Sequence, residues 1–240
     1  MNALSPLFGA IGSLFYPAAC AVCYEAIDRS EYLCPACAAK APRIAPPFCA
    51  KCSEPFTGAI TETFACANCE HRALHFEAAV ATFRSRGVVR KVIHEFKYGQ
   101  QRHLRYPIAS WLAEALEDTR LRGRRFDLVI PVPLHSARER ERGFNQALLL
   151  AETLCRAASL PLWDSLERIR YTTTQTAHDR SERMENLRGA FRLRKNRDVR
   201  GSRVLLIDDI LTTGSTLSEC ARVLTDAGAF SVHAATAARA

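Results

Sequence analysis

No stretch of this 240-residue chain approaches the roughly 20 consecutive apolar residues that a bilayer-spanning helix requires, so the sequence offers no transmembrane helix. No Lys or Arg precedes Arg29 either. The apolar start, Leu4 to Pro17, therefore lacks the positive region of an export signal, and Pro17 stands just ahead of Cys20, the would-be lipoprotein acceptor. That segment reads as a short helix packing on the protein's own surface, and the chain is expected in the cytoplasm. Collagen-like triplets, low-complexity tracts and the polar bias of disordered chains are also missing. With 48% hydrophobic and 24% charged residues there is enough apolar material to offset the entropy of folding. The length suits one large domain or two small ones, and no internal repeat is evident beyond paired cysteine motifs.

Cysteine is what the chain has in excess. Eight of its ten cysteines precede residue 70 and form four CxxC pairs: Cys20/Cys23, Cys34/Cys37, Cys49/Cys52 and Cys66/Cys69. Each CxxC knuckle brings two thiolates onto one face of a tight turn, and two knuckles complete a tetrahedron around a zinc ion. Four knuckles imply two zinc sites. A disulfide framework suits a secreted chain, and a redox CxxC occurs singly beside a βαβ unit; neither fits four pairs without an export signal. Spacing leaves sequential and interleaved ligation both open, although Pro42 to Pro47 looks like a linker between two sequential ribbons. Cys155 and Cys220 lie on apolar stripes of expected helices, as buried structural thiols would.

The 33 Lys and Arg residues outnumber the 25 Asp and Glu by a formal +8, a balance that favours an anionic partner. Residues 1 to 75 hold five Lys/Arg against six Asp/Glu, and thiolate-bound zinc would make them more acidic still. The basic surface must therefore lie in residues 76 to 240. There the apolar periodicity predicts strands at Phe76 to Phe83, Leu128 to Val132, Val204 to Ile207 and Ser231 to Thr236. Helices are expected at Gly87 to Tyr98, Leu104 to Leu116, Gln146 to Ala158 and Ser215 to Ala227. Alternation of this kind, with continuous apolar strands, argues for a parallel α/β sheet.

The most informative segment is Val204-Leu-Leu-Ile-Asp-Asp-Ile-Leu-Thr-Thr-Gly-Ser-Thr216. A buried strand ends in Asp208 and Asp209, and a loop of hydroxyls and glycine opens the next helix. Ligands of open α/β sheets bind at such strand ends. Thr212, Thr213, Gly214, Ser215 and Thr216 would offer backbone N–H groups and hydroxyls to a phosphate at a helix N-terminus. Two carboxylates cannot themselves hold that phosphate. They suit ribose hydroxyls, directly or through Mg²⁺.

This element resembles the phosphoribosyl-pyrophosphate (PRPP) motif of the type I phosphoribosyltransferases. The cysteine tetrad, Lys97-Tyr98, Ile130-Pro-Val-Pro-Leu-His135, Arg142-Gly-Phe-Asn-Gln146, Thr174-Gln175 with Arg183 and Asn186, and the PRPP motif occur in order. Together they resemble the ComF/GntX family over nearly the whole chain. The resemblance implies a type I phosphoribosyltransferase-like parallel sheet at residues 76–240, behind a double zinc ribbon with a short N-terminal helix at residues 1–75. It implies PRPP with Mg²⁺ as ligand, Asp208 and Asp209 as the catalytic pair on the ribose, and the 212–216 loop on the 5′-phosphate. The loop after Pro133 would bind pyrophosphate, with Lys97, Arg138, Arg140, Arg142 and Arg183 as its cationic candidates. A solvated helix face is the alternative for Arg138 and Arg140, since Glu139 and Glu141 alternate with them. His135 suits a satisfied loop histidine, and residues 171 to 186 fall where the family carries an active-site loop. No glutamine-hydrolysing domain and no N-terminal catalytic cysteine is present, which argues against ammonia transfer from glutamine.

The same family is associated with natural transformation, implying single-stranded DNA and DNA-uptake proteins as partners. Residues 167 to 203 hold eleven Lys/Arg against five Asp/Glu, a local excess that could follow a phosphate backbone through Arg192, Arg194, Lys195 and Arg197. Aromatics there are limited to Tyr171 and Phe191, so any binding should be salt-sensitive and sequence-tolerant. An arginine surface serving PRPP alone is one alternative; a PRPP-binding regulator without catalysis is another.

Overall fold

The computed structural model describes residues 18–58, 64–171 and 187–240. The expected N-terminal helix, Thr174, Gln175, Arg183, Asn186 and nearly all of the 171 to 186 loop lie outside the described residues.

Continuous apolar runs form a four-stranded parallel sheet from β1 (Ala79–Arg84), β2 (Leu128–Pro131), β5 (Arg203–Leu211) and β6 (Ser231–Arg239), in the order β1-β6-β5-β2. Because side chains alternate across a strand, each run feeds two cores. Leu205, Ile207, Val129, Val80 and Ala235 face a layer built by α3 (Gly87–Tyr98), α4 (Arg105–Leu116) and α6 (Gln146–Ala158). Val204, Leu206, Leu128, Ile130 and Ala234 face α7 (Ser215–Asp226) and a short antiparallel hairpin, β3 (Leu166–Arg168) with β4 (Phe191–Leu193). The expected fold class is the one observed.

Helices α3 and α6 occupy the expected spans. The Leu104 start is displaced because the first turn is a 3₁₀ helix, Arg102–Leu104, before α4 proper. The first strand begins at Ala79 rather than Phe76: Phe76 is buried against Gly214 instead of pairing. Strands β5 and β6 run on to Leu211 and Arg239, so Asp208 and Asp209 lie inside a strand and not beyond its end.

The cysteine pairs gather sequentially, as the linker at Pro42 to Pro47 suggests. Cys20, Cys23, Cys34 and Cys37 form one group and Cys49, Cys52, Cys66 and Cys69 the other, with sulfur atoms within 4.8 Å of one another. Short helices α1 (Pro35–Ala39) and α2 (Ala67–Glu70) begin at the knuckle residues Cys34 and Cys66. The first group packs into the α3/α4/α6 core and the second into the α7 core. Between them the Pro42–Ser53 segment covers the free edge of β1. Ile44 N–H donates to Thr82, Arg84 N–H to Pro42 and Ala79 N–H to Lys51, at 2.8–2.9 Å. Ser53 Oγ donates to the Ala79 carbonyl and accepts from Ala81 N–H, both at 3.1 Å. An edge that could otherwise recruit another chain is thereby closed.

Cys155 and Cys220 are buried, and burial raises both thiols, Cys155 to about 11. Truncating the fully buried Leu205 should cost about 2–5 kcal/mol of unfolding free energy, measured by denaturant titration of zinc-loaded protein.

Candidate functional site

The metal centres are tested most directly by their sulfur geometry. A Zn–S length of about 2.3 Å places tetrahedral sulfur atoms about 3.8 Å apart. Cys23 and Cys34 Sγ are 3.6 Å apart, as are Cys52 and Cys66 Sγ. Four thiols so close cannot all ionise without a cation. Despite burial, N–H groups of Cys23, Cys34 and Val22 hold Cys20 down at about 6, whereas burial and its neighbours push Cys37 up to about 12. The donor set and spacing fit zinc in both groups.

The second site grows from the end of β5. Its side-chain alternation sends the two carboxylates to opposite faces. Asp209 points into the α3 layer, almost fully buried, where Lys97 Nζ lies 2.5 Å from its Oδ2. Burial alone would lower the Lys97 ammonium, but Asp209 and Asp208 outweigh it and raise Lys97 above its ordinary value. The role of Lys97, legible in the sequence only as a plausible anion contact, is here that of a counter-ion. Asp208 points to the other face, towards α7 and β3. Burial and then the Asp209 carboxylate push its carboxyl well above the usual range, and its Oδ1 accepts the Asp209 N–H at 2.9 Å. Arg168 on β3 and Cys220 on α7 share its electrostatic environment, and burial holds the Arg168 guanidinium below its ordinary value.

Three residues past the end of β5, Gly214 adopts φ +78°, a left-handed conformation that strains any residue with a Cβ. The Cβ itself would fit, 3.5 Å from Phe76, so the requirement is conformational. Gly214 also caps α7, whose first-turn amides have no partner within the helix. Thr213 and Ser215 hydroxyls lie 2.9 Å apart across the turn. Thr212 is exposed, and Thr213 and Thr216 are half-buried. The loop is held from behind by the second cysteine group. Arg72 Nη1 donates to the Thr213 carbonyl at 3.0 Å and Nη2 to Ser215 Oγ at 2.8 Å, while Asn68 Nδ2 donates to the same carbonyl at 3.4 Å.

A third wall comes from α5 (Ser136–Arg142), a helix that the periodicity did not separate from its loop. His135 caps it, Nδ1 accepting from Ala137 N–H at 3.2 Å, which matches the satisfied-histidine reading. The Arg142–Gln146 motif is a helix corner. Gly143 ends α5 at φ +82°, and Asn145 caps α6 while donating to the Val132 carbonyl at 3.2 Å. Arg138 and Arg142, one turn apart, line a cleft of about 140 Å³ with Lys97, Tyr98, Gln100 and Glu141. Arg140 projects into solvent on another face. Arg142 lies over the Tyr98 ring and Arg138 over that of Tyr171, 5.1 and 5.6 Å from the centroids.

Sequence reasoning missed Arg72, Asn68 and Arg168. They carry no motif of their own and reach the site only through the fold. The proposed DNA-binding arginines are largely engaged: Arg192 pairs with Glu167 at 2.6 Å, Arg194 with Asp164 at 3.0 Å, and Arg197 covers Trp163, leaving Lys195 exposed. None of the helices among the described residues is long and apolar enough to cross a membrane.

Residues 145–240 match the phosphoribosyl transferase domain family and residues 11–71 the double zinc ribbon domain family. A protein of Salmonella typhimurium called DNA utilization protein YhgH is 31% identical over 222 residues, covering 89% of this chain and 87% of that one. Competence protein F of Haemophilus influenzae is 32% identical over 189 residues, covering 76% and 80%. Competence protein ComFC of Bacillus subtilis is 41% identical over 102 residues, covering 42% and 39%.

Metal analysis of purified protein should return two zinc ions per chain. Acidification should release them together with a fall in melting temperature, because protons compete for the thiolates. A value near zero, with thiols oxidised, would overturn the metal reading.

Proposed function

The chain belongs to the ComF/GntX family, that of competence protein F and the DNA utilization protein YhgH, and from that premise we propose that it binds PRPP with Mg²⁺ at the β5–α7 loop and acts in the handling of single-stranded DNA during natural transformation. The observation that carries the ligand assignment is the junction itself. Gly214 lies in the left-handed region at the N-terminus of α7, five residues past Asp209, whose carboxylate pairs with Lys97 of the cleft that Arg138 and Arg142 line. Among the described residues no other helix begins within six residues of two adjacent acids.

In this reading the 5′-phosphate rests on the Gly214 to Thr216 amides and the Thr213 hydroxyl, with the Ser215 hydroxyl supporting Thr213 from behind. Asp208 and Asp209 take the ribose hydroxyls, and Lys97 neutralises Asp209 so that burying both acids remains tolerable. The diphosphate lies towards Arg138 and Arg142. Bound Mg²⁺ would supply charge neutralisation of the diphosphate oxygens. Displacement at the ribose C1′ develops positive charge on the sugar and negative charge on the departing pyrophosphate; the acids face the first and the arginines the second. Arg183, outside the described residues, is a further cationic candidate for the diphosphate, whereas Arg140, exposed and absent from the cleft lining, suits the solvated-face alternative. An active transferase on an unknown acceptor, and a PRPP-binding regulator without catalysis, share this site and differ in whether pyrophosphate is released.

A second observation favours a nucleic-acid path across the same mouth. Arg142 and Arg138 of α5 are flanked by Tyr98 and Tyr171, whose rings they cover, and the two tyrosines are 62% and 47% exposed. Exposed rings beside cations offer stacking faces for bases next to partners for phosphates. Arg138 pairs with Glu141 at 3.2 Å, but among the described residues Arg142 bonds only the neutral Gln146, whereas Arg192 and Arg194 both face acids, and this moves the expected DNA surface towards the PRPP mouth.

Calorimetric titration should detect PRPP binding in the presence of Mg²⁺. Charge reversal at Asp208 and Asp209 should abolish it, and unchanged affinity would sink the assigned site. Single-stranded oligonucleotide affinity should fall steeply with salt and weaken about tenfold or more in an Arg138→Ala, Arg142→Ala double variant. It should change little in Arg192→Ala, Arg194→Ala. The reverse order, or salt-independent binding, would restore the earlier surface or reject DNA binding.

A further inference from the structure

The hydrogen bonds behind the phosphate loop come from outside the strand–loop–helix unit. Asn68 lies between the ligand cysteines Cys66 and Cys69, and Arg72 three residues past Cys69. Cys66 N–H donates to Cys49 Sγ at 3.2 Å, so this turn is part of the second metal knuckle. Arg72 Nη1 also donates to Asn68 Oδ1 at 2.6 Å, which locks the two side chains into one unit. Beyond them, His75 N–H donates to Ser218 Oγ at 3.1 Å, holding the chain against the first turn of α7.

Two consequences follow for the loop. The Thr213–Gly214 peptide is trans, so its C=O and N–H point to opposite sides. Holding the Thr213 carbonyl towards the ribbon therefore aims the Gly214 N–H away from the ribbon, into the mouth of the loop. A glycine at positive φ is where a peptide flip meets least steric resistance, so the arginine restrains the softest bond of the cradle. The second consequence concerns hydroxyl polarity. Arginine donates and never accepts, so Ser215 Oγ accepts from Arg72 and its own proton is available to Thr213 Oγ1, 2.9 Å away. Thr213 Oγ1 also accepts the Ser215 N–H at 3.4 Å, and with the Ser215 proton given to it as well, the Thr213 proton is left to donate to a ligand.

We propose that Arg72, with Asn68, is a positioning residue for the β5–α7 loop: the second zinc ribbon supplies the back wall that presents the Gly214 amide and the Thr213 hydroxyl to a phosphomonoester. The ribbon is thus part of the ligand-binding apparatus, and phosphate affinity depends on the second metal site through these two side chains. The inference rests on the reading of the loop as a phosphate site and adds to it the origin of its preorganisation.

The test uses full-length zinc-loaded protein and two probes, ribose 5-phosphate for the loop and inorganic pyrophosphate with Mg²⁺ for the neighbouring cationic cleft. Arg72→Ala should weaken ribose 5-phosphate about ten- to hundredfold, the value of charge-assisted hydrogen bonds, and leave pyrophosphate affinity and zinc content unchanged. Arg72→Lys should recover part of the loss, since one ammonium cannot reproduce the guanidinium fork. Asn68→Ala should give a smaller loss of the same selectivity. If Arg72→Ala does not fold, the lysine and Asn68 variants carry the same contrast. Wild-type affinity for ribose 5-phosphate in these variants, or equal loss of both probes, overturns the proposal while leaving the loop assignment intact. Failure of the wild-type protein to bind ribose 5-phosphate or PRPP overturns the loop assignment and this inference with it.

Discussion

The structure depends on how the free edge of β1 is closed. A four-stranded parallel sheet needs cover on both faces and on both edges, and here one strap does part of all three. Residues 42 to 53 pair with the backbone of β1, and each end of the strap runs into a four-cysteine group. One group is packed into the core on one side of the sheet and the other into the core on the opposite side. Arg120 reinforces the arrangement by donating to the Cys49 and Ala50 carbonyls and to Ser53 Oγ. Lys91 does the same for the first group through the Val22 carbonyl at 2.7 Å. The cysteine groups are therefore built into the α/β body, and the metal sites and sheet share their apolar interior.

That integration explains the geometry of the candidate site. A strand alternates its side chains whatever its function, so consecutive acids must part company. Asp209 goes where α3 can offer Lys97, and Asp208 goes where β3 and α7 close over it. The loop that follows has a glycine where the backbone must turn left-handed, and the turn is braced from the metal knuckle behind it. Each of the three layers thus contributes one function: counter-charge from α3, the cradle from α7, and its bracing from the ribbon.

Much of this was legible from residues alone. The CxxC spacing announced the metal groups, the apolar run at Val204 to Ile207 announced the central strand, and the hydroxyl-rich loop after Asp209 announced the helix start. What could not be read is what depends on non-local pairing. Helix α5 is polar nearly all round, so periodicity gave no signal for it. The β3–β4 hairpin is three residues on each side, too short for alternation to register. Lys97 and Arg72 acquire their roles only when strands 79–84 and 203–211 come into one sheet. Local charge counting placed the basic surface at Arg192 to Arg197, where acids from neighbouring elements in fact neutralise much of it.

Strand order also has a consequence for synthesis. Strand β6 lies between β1 and β5, so Ala79 finds its sheet partner Ala234 only after about 155 intervening residues have been made. Until then β1 and β2, separated in the finished sheet by two strands not yet translated, have nothing to pair with on their inner sides. Such long-range closure is slow and exposes apolar edges. The strap can pair with the outer side of β1 as soon as residue 84 emerges. A metal ion taken up at that stage by the cysteine groups would hold the strap in place, so the two sites can act early as assembly clamps for a sheet whose centre arrives last.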